Sequence, residues 1–185
     1  MRLPTEADCR SLYSVYHSPA NIQDHMRRVA AISVLIAQWS GANAALVQAA
    51  AWLHDLVRIK EQWSYLPATI STPLPHAEIN YLLLREQWPE VAQVIRTHSL
   101  MTILQEQPFS RLEEKIVYYA DKRVNHATIV TLTERLTLGN ERWQVTSTND
   151  RRHELMPKLQ QLEIELFTNA PFPPHELKTH LQTQP

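Results

Sequence analysis

The chain has 185 residues, 44% hydrophobic and 20% charged, with a formal net charge of −1. That balance suits one globular domain with a real core and excludes a general nucleic-acid binder, which would carry a basic surplus. No run approaches the ~18 apolar residues of a membrane span, and the single cysteine, Cys9, excludes an intrachain disulfide and a thiolate metal site.

Only 2 glycines are present, Gly41 and Gly139. Hairpin-rich β folds need more for their tight turns, so an all-α fold is expected. The opening Met1-Arg2-Leu3-Pro4-Thr5-Glu6 has no apolar stretch behind its charge. It does not read as a signal peptide, and a cytoplasmic location is the default expectation. Residues 6–16 predict a short helix, and Ser18-Pro19-Ala20-Asn21 a break. A helix over 24–39 follows, with His25, Val29, Ile32 and Ile36 on its inward line and Gly41 as its stop. Asn43 can cap a central, apolar helix over about 44–57, with His54-Asp55 in its last turns. Residues 59–75 are interrupted by Pro67, Pro73 and Pro75 and read as a loop, a candidate rim or lid. His76 opens a helix to 87. Pro89 opens another to about 99, with Val91, Val94, Ile95 and His98 in line.

A second loop covers 100–109. Ser110-Arg111-Leu112-Glu113 reads as a capping box opening a long helix to about 137, stopped near Gly139, with Asp121 mid-helix. A last helix over about 149–167, capped by Thr148 or Asn149, carries Leu155, Leu159, Leu162 and Leu166 in line. That line fits either packing on the core or a homodimer. The tail after Asn169 is proline-rich and is expected to be poorly ordered. The organisation expected is one domain over 1–140 (core 20–135) and a C-terminal helical appendage over 141–185, packed on it or extending it.

Six residues stand out: His25, the adjacent His54-Asp55, His76, His98 and Asp121. They are the nitrogen and carboxylate types that hold borderline divalent metals. A single histidine on an apolar face is usually a satisfied core residue, and a salt bridge to Lys or Arg would account for Asp121 alone. Asp55, within Trp52-Leu53-His54-Asp55-Leu56-Val57, is in a still more apolar setting, where a carboxylate needs a partner. Two such carboxylates and four inward histidines are satisfied together by a shared cation. Adjacent residues diverge by about a hundred degrees on a helix. His54 and Asp55 therefore grip one ion only near a helix crossing, or else bridge two.

The order H…HD…H…H…D resembles the HD-domain metal-dependent phosphohydrolases over roughly residues 20–135. With His76 and His98 between the HD pair and the final aspartate, it is similar to the subgroups with two metals. These include symmetrical diadenosine tetraphosphate hydrolases and cyclic-di-nucleotide phosphodiesterases, although the glycine-tyrosine-proline signature of the latter is missing. The resemblance implies a single HD-domain helical bundle with one or two divalent transition metals per chain: Fe, Mn, Zn, Co or Ni. A first ion would take His25, His54, Asp55 and Asp121. A second would take His76 and His98, with Asp55 bridging. His54 and Asp55 would be catalytic, and a water acidified there would attack phosphorus.

Many members carry a lysine three residues after the HD pair. Arg58 holds that place here and offers a fork of donors to phosphate. Lys122 and Arg123 are further substrate-binding candidates, or else a solvated helix face. His126 is a candidate support for the ligands. Trp63 and Tyr65 can stack on a base or close the core, and His17, His153, His175 and His180 read as surface. The implied partner is a small phosphorylated substrate of nucleotide type, dinucleoside polyphosphate first and nucleoside monophosphate second. No nucleic-acid or membrane partner is expected. A non-catalytic metal- or nucleotide-binding regulatory HD module is the alternative from another class, and the intact ligand set argues against it.

Overall fold

The computed structural model describes residues 2–143 and 151–182. Helix α1 (Glu6–Val15) opens on a capping box in which Thr5 and Asp8 bond each other's backbone N–H. The break after it is short, because Pro19 has no N–H to satisfy and α2 (Ala20–Ser40) starts directly behind it. Gly41 ends α2 at φ 77, a left-handed conformation that glycine adopts without penalty. Asn43 Oδ1 then accepts the Leu46 N–H at 3.1 Å and caps α3 (Ala44–Leu53). Ala49, Ala50 and Ala51 are buried, and these small side chains let α3 sit in the middle of the molecule.

Helices α4 (His76–Leu84) and α5 (Pro89–Arg96) pack on each other, and α5 packs on α3. The two intervening loops contain 3-10 turns, Lys60–Tyr65 and Leu100–Leu104. Helix α6 (Leu112–Lys122) packs against α2, α3 and α5. Its start is held by Glu114, whose carboxylate accepts from Ser110 N at 2.7 Å and Ser110 Oγ at 2.9 Å. Glu113, the residue expected in that role, instead accepts the Asn43 N–H.

The long helix expected from 110 to 137 is two helices. After Lys122 the chain forms a two-residue hairpin, β1 (Val124–Asn125) against β2 (Thr128–Ile129), turning at His126 with φ 55. Val124, Thr128, Ile129, Val130 and Thr131 form a β-branched run, poor in helix propensity and suited to extended backbone. Thr131 and Glu134 then cap each other's N–H and open α7 (Leu132–Trp143), so Gly139 lies inside that helix and does not stop it.

Helix α8 (Arg152–Phe167) packs on α2, α6, α7 and the Leu100–Leu104 turn. Leu155, Leu159, Leu162 and Leu166 are all buried, each contributing about 1.5–3 kcal/mol of transfer free energy. Arg151 precedes this helix without a side-chain cap, and Thr148 and Asn149 lie outside the described residues. The segment beyond Asn169 is more ordered than its prolines suggested. Phe172 and Leu177 are buried, His180 stacks on Phe172, and a short helix α9 (Leu177–Gln182) follows. Two apolar anchors and the rings of Trp39 and Phe167 around Phe172 outweigh the polar composition. The fold is all-α apart from the small hairpin, and no described helix is long and apolar enough to cross a membrane.

Candidate metal centre

The six ligand-type residues come from five places in the fold and meet at one point. His25 is on the second turn of α2, and His54-Asp55 follow the last residue of α3. His76 opens α4, His98 lies just beyond α5, and Asp121 is the penultimate residue of α6. They form two groups, each with ligand atoms within 4.8 Å of one another: His25, His54 and Asp121, and Asp55, His76 and His98. In the first group Asp121 Oδ1 is 3.0 Å from His25 Nε2 and 3.7 Å from His54 Nε2. In the second, Asp55 Oδ1 is 3.3 Å from His76 Nε2 and 3.5 Å from His98 Nε2. Asp55 Oδ2 faces the other way, 3.8 Å from His54 Nε2.

Helix α3 stops four residues earlier than its pattern suggested, and this lets neighbouring residues serve one centre. Asn80 Nδ2 donates to the His54 and Val57 carbonyls, and Asn80 Oδ1 accepts from Val57 N. Ser18 Oγ and Gln62 Nε2 both donate to the Leu56 carbonyl, and Gln62 Oε1 accepts from Arg58 N and Ile59 N. These side chains replace the hydrogen bonds a continuing helix would have made. Their role is tertiary, and the sequence pattern carries one weak signal of it: Asn80 lies one turn after His76 on the same face.

The imidazoles are oriented from behind. His25 Nδ1 donates to the His126 carbonyl at 2.8 Å, His54 Nδ1 to Ala51 O at 2.8 Å, and His98 Nδ1 to Ile95 O. Each bond fixes the Nδ1–H tautomer and leaves Nε2 as a lone pair directed at the centre. His126 thus supports His25 through its main chain. His76 differs: its Nδ1 meets the Arg58 guanidinium at 3.0 Å, and its Nε2 is 2.8 Å from His98 Nε2.

Burial opposes charge throughout. At His76, burial and then the adjacent His98 push the pKa down to about 3, and burial also lowers His98. Both rings are therefore neutral near pH 7 and able to ligate. At His54, burial is outweighed by Asp55 and Asp121, which raise its pKa. Burial also disfavours the carboxylates, yet both lie well below the usual range: Asp55 through His54, His98, His76 and Arg58, and Asp121 through Lys122, His25 and His54. His54 Nε2 and Asp55 Oδ1 are buried with no hydrogen-bond partner among the described residues. An orphaned imidazole nitrogen beside two carboxylates, and an orphaned carboxylate oxygen beside two imidazoles, fit a shared divalent cation, and the donor set fits Fe, Mn, Zn, Co or Ni.

The centre opens into a cavity of about 680 Å³, within the size range of small-molecule sites. Arg58 lines it, with Nε 3.3 Å from Asp55 Oδ2. Lys122 also lines it, but is not the solvated residue that one reading expected. It is buried, bonded to Asp121 Oδ2 and, at 2.8 Å, to the His98 carbonyl. Arg123 is a correction. One residue further round the helix, it points away from the cavity into a buried network. It donates to Tyr119 Oη, to Glu163 at 2.8 Å and to the carbonyls of Val130 and Pro174. Trp63 packs at the core edge and Tyr65 stacks on His17, and neither lines the cavity. His153 and His175 are exposed, as expected, and His180 is half-buried. Arg135 on α7 and Arg151 before α8 do line the cavity, and the sequence pattern did not single them out.

A family model for the HD domain matches residues 22–126, more than half of the chain. The chain belongs to the HD domain family. Family and geometry agree: the match begins just before His25 and ends just after Asp121, so it spans all six converging residues. The HD superfamily is one of metal-dependent phosphohydrolases, and that is the enzyme class of this chain. No curated protein and no solved structure matches it.

Proposed function

We propose that the HD domain described here is a two-ion phosphohydrolase that cleaves a small nucleotide, with dinucleoside polyphosphate as the first substrate class and nucleoside monophosphate as the second. The observation that carries this reading is the position of Asp55, whose two carboxylate oxygens face different imidazole groups. His25, His54 and Asp121 would hold one ion, His76 and His98 the other, and Asp55 both. The ions would lower the pKa of water and offset charge developing on the phosphoryl oxygens. The chain's own contribution would be to fix the Nε2 atoms of His25, His54 and His98 and two carboxylates in a cleft before substrate arrives, and to keep His76 and His98 neutral by burial. Arg58, whose Nε is 3.3 Å from Asp55 Oδ2, would hold a phosphoryl oxygen beside that carboxylate. In the net reaction, water oxygen forms a bond to phosphorus, the bond from phosphorus to its leaving oxygen breaks, and one proton is released or passed to that oxygen. Residues 141–185 are read as an extension of the same domain.

Elemental analysis of protein purified without chelator and without air tests the reading, followed by product analysis on dinucleoside polyphosphates and nucleoside monophosphates. Near two transition ions per chain and cleavage of the former are expected. One ion per chain with monophosphatase activity would replace the two-ion reading. Ions without turnover of any phosphate compound would leave a regulatory binding module.

A further inference from the structure

We propose that Arg135, on α7, binds the phosphate next to the one attacked and so makes the cavity selective for phosphoanhydrides over simple monoesters. The proposal rests on the reading of the cavity as the seat of a phosphorylated substrate. It goes beyond the family match, which ends at residue 126.

Arg135 lines the cavity, and its Nε is buried with no hydrogen-bond partner among the described residues. A buried guanidinium N–H without an acceptor is costly, and a planar fork of donors matches the oxygens of a phosphate. The other cations of the cavity are engaged differently. Arg58 sits on the Asp55–His76 side of the centre, bonded to His76 Nδ1. Lys122 is committed to Asp121 and to the His98 carbonyl. Arg151 is paired through both its Nε and its terminal nitrogen with the Glu154 carboxylate. Arg135 alone of these four brings a buried, unanswered donor.

Its location separates two phosphate positions. Arg135 lines the cavity from α7, whereas Arg58 lines it from the segment between α3 and α4. A phosphoryl group seated against the imidazoles beside Arg58 leaves its neighbour in the chain toward Arg135. A monoester has no second phosphate to offer there. The cavity, at about 680 Å³, has room for both and for an organic group. Ile59, Leu100 and Met101 line it as well and are more than a third exposed, an apolar surface for that group.

The test is binding of two probes that the enzyme cannot hydrolyse at a P–O–P bridge, methylenediphosphonate and methylphosphonate. Each is titrated calorimetrically into the full-length protein as purified. The wild type is expected to prefer the diphosphonate. Arg135→Ala should cut that preference by about tenfold, the loss of a charge-assisted pair. Arg135→Lys, which keeps the charge but not the fork, should cut it less, and it remains informative if the alanine variant does not fold by circular dichroism. A preference unchanged in folded Arg135→Ala, or absent in the wild type, would overturn the proposal. Turnover of wild-type protein is scored separately. A protein that hydrolyses nothing yet binds diphosphonate through Arg135 would refute the hydrolase reading and leave Arg135 as the donor to the second phosphate in a binding module. Hydrolysis with a preference indifferent to Arg135 would do the reverse.

Discussion

The two ligand groups of the centre use the same residue types but are framed differently. In the group of His25, His54 and Asp121, both imidazoles donate from Nδ1 to main-chain carbonyls. In the group of Asp55, His76 and His98, only His98 does, while His76 faces the Arg58 guanidinium, itself a donor. Backbone acceptors set the ligating tautomer before an ion arrives. A guanidinium at Nδ1 favours the opposite tautomer, so an ion at His76 must displace it. His76 is also the more open, with a quarter of its side chain accessible against none for His54. The first group is preorganised and the second adjustable, and ion affinity is expected to follow that order.

Asp55→Ala gives the largest expected effect, because that residue faces both groups. Metal content should collapse and kcat should fall on the order of a thousandfold, equivalent to several kcal/mol of lost charge stabilisation. Elemental analysis beside a phosphate-release assay reads both, and unchanged metal content in the variant would sink the shared-carboxylate assignment. Next, His76→Ala should release one ion per chain and retain the other. Loss of both on dialysis would break the distinction between a fixed and an adjustable group. Asn80→Ala strips the His54 and Val57 carbonyls and the Val57 N–H of their partner. A cost of about 1–3 kcal/mol in denaturant unfolding and about 10–100-fold in metal affinity is expected, and a neutral outcome would remove Asn80 from the frame.

The smallest effect sharpens the comparison through pH. His76 is lowered from 6.5 to about 3, and His98 is lowered too. Below pH 6.5 the unfolded chain therefore binds protons at these sites that the native chain refuses. Metal-free protein should lose stability as pH falls from there toward 3, by at most about 1.4 kcal/mol per pH unit for each histidine. The raised pKa of His54 acts with the other sign: its contribution is present below 6.5 and is lost as pH rises through the folded value. His76→Gln should flatten the acid limb of a melting-temperature series, and an unaltered limb would assign it elsewhere.

The six ligand-type residues were legible because each is a costly choice on an apolar face, and helical phase brought them inward. The main misreading was the single helix through Asp121. The inward phase of Val117, Asp121 and Val124 continues across the break, while the stop lies in the β-branched run and in the Thr131–Glu134 cap. Arg123 was misdirected for the same reason, since one residue of helix rotation separates the cavity from the interior. Gln62 and Ser18 were not legible at all. Their value lies in carbonyls six or more residues away or in the shape of a loop, which no local period encodes. The proline count misled over the tail, where Phe172 is buried among the rings of Trp39, Phe167 and His180 and Leu177 is fully buried.

The Arg123 network ties the end of α6 to segments that follow it much later in the sequence. Its guanidinium, two residues from Asp121, is satisfied by Glu163 of α8 and by the Pro174 carbonyl. A chain cut short before α8 would keep the six converging side chains, yet the Arg123 guanidinium beside them would lose Glu163 and the Pro174 carbonyl and keep only Tyr119 Oη and the Val130 carbonyl. Loss of the far end of the polypeptide would thus be felt at the end of α6, the segment that presents Asp121 to the candidate centre.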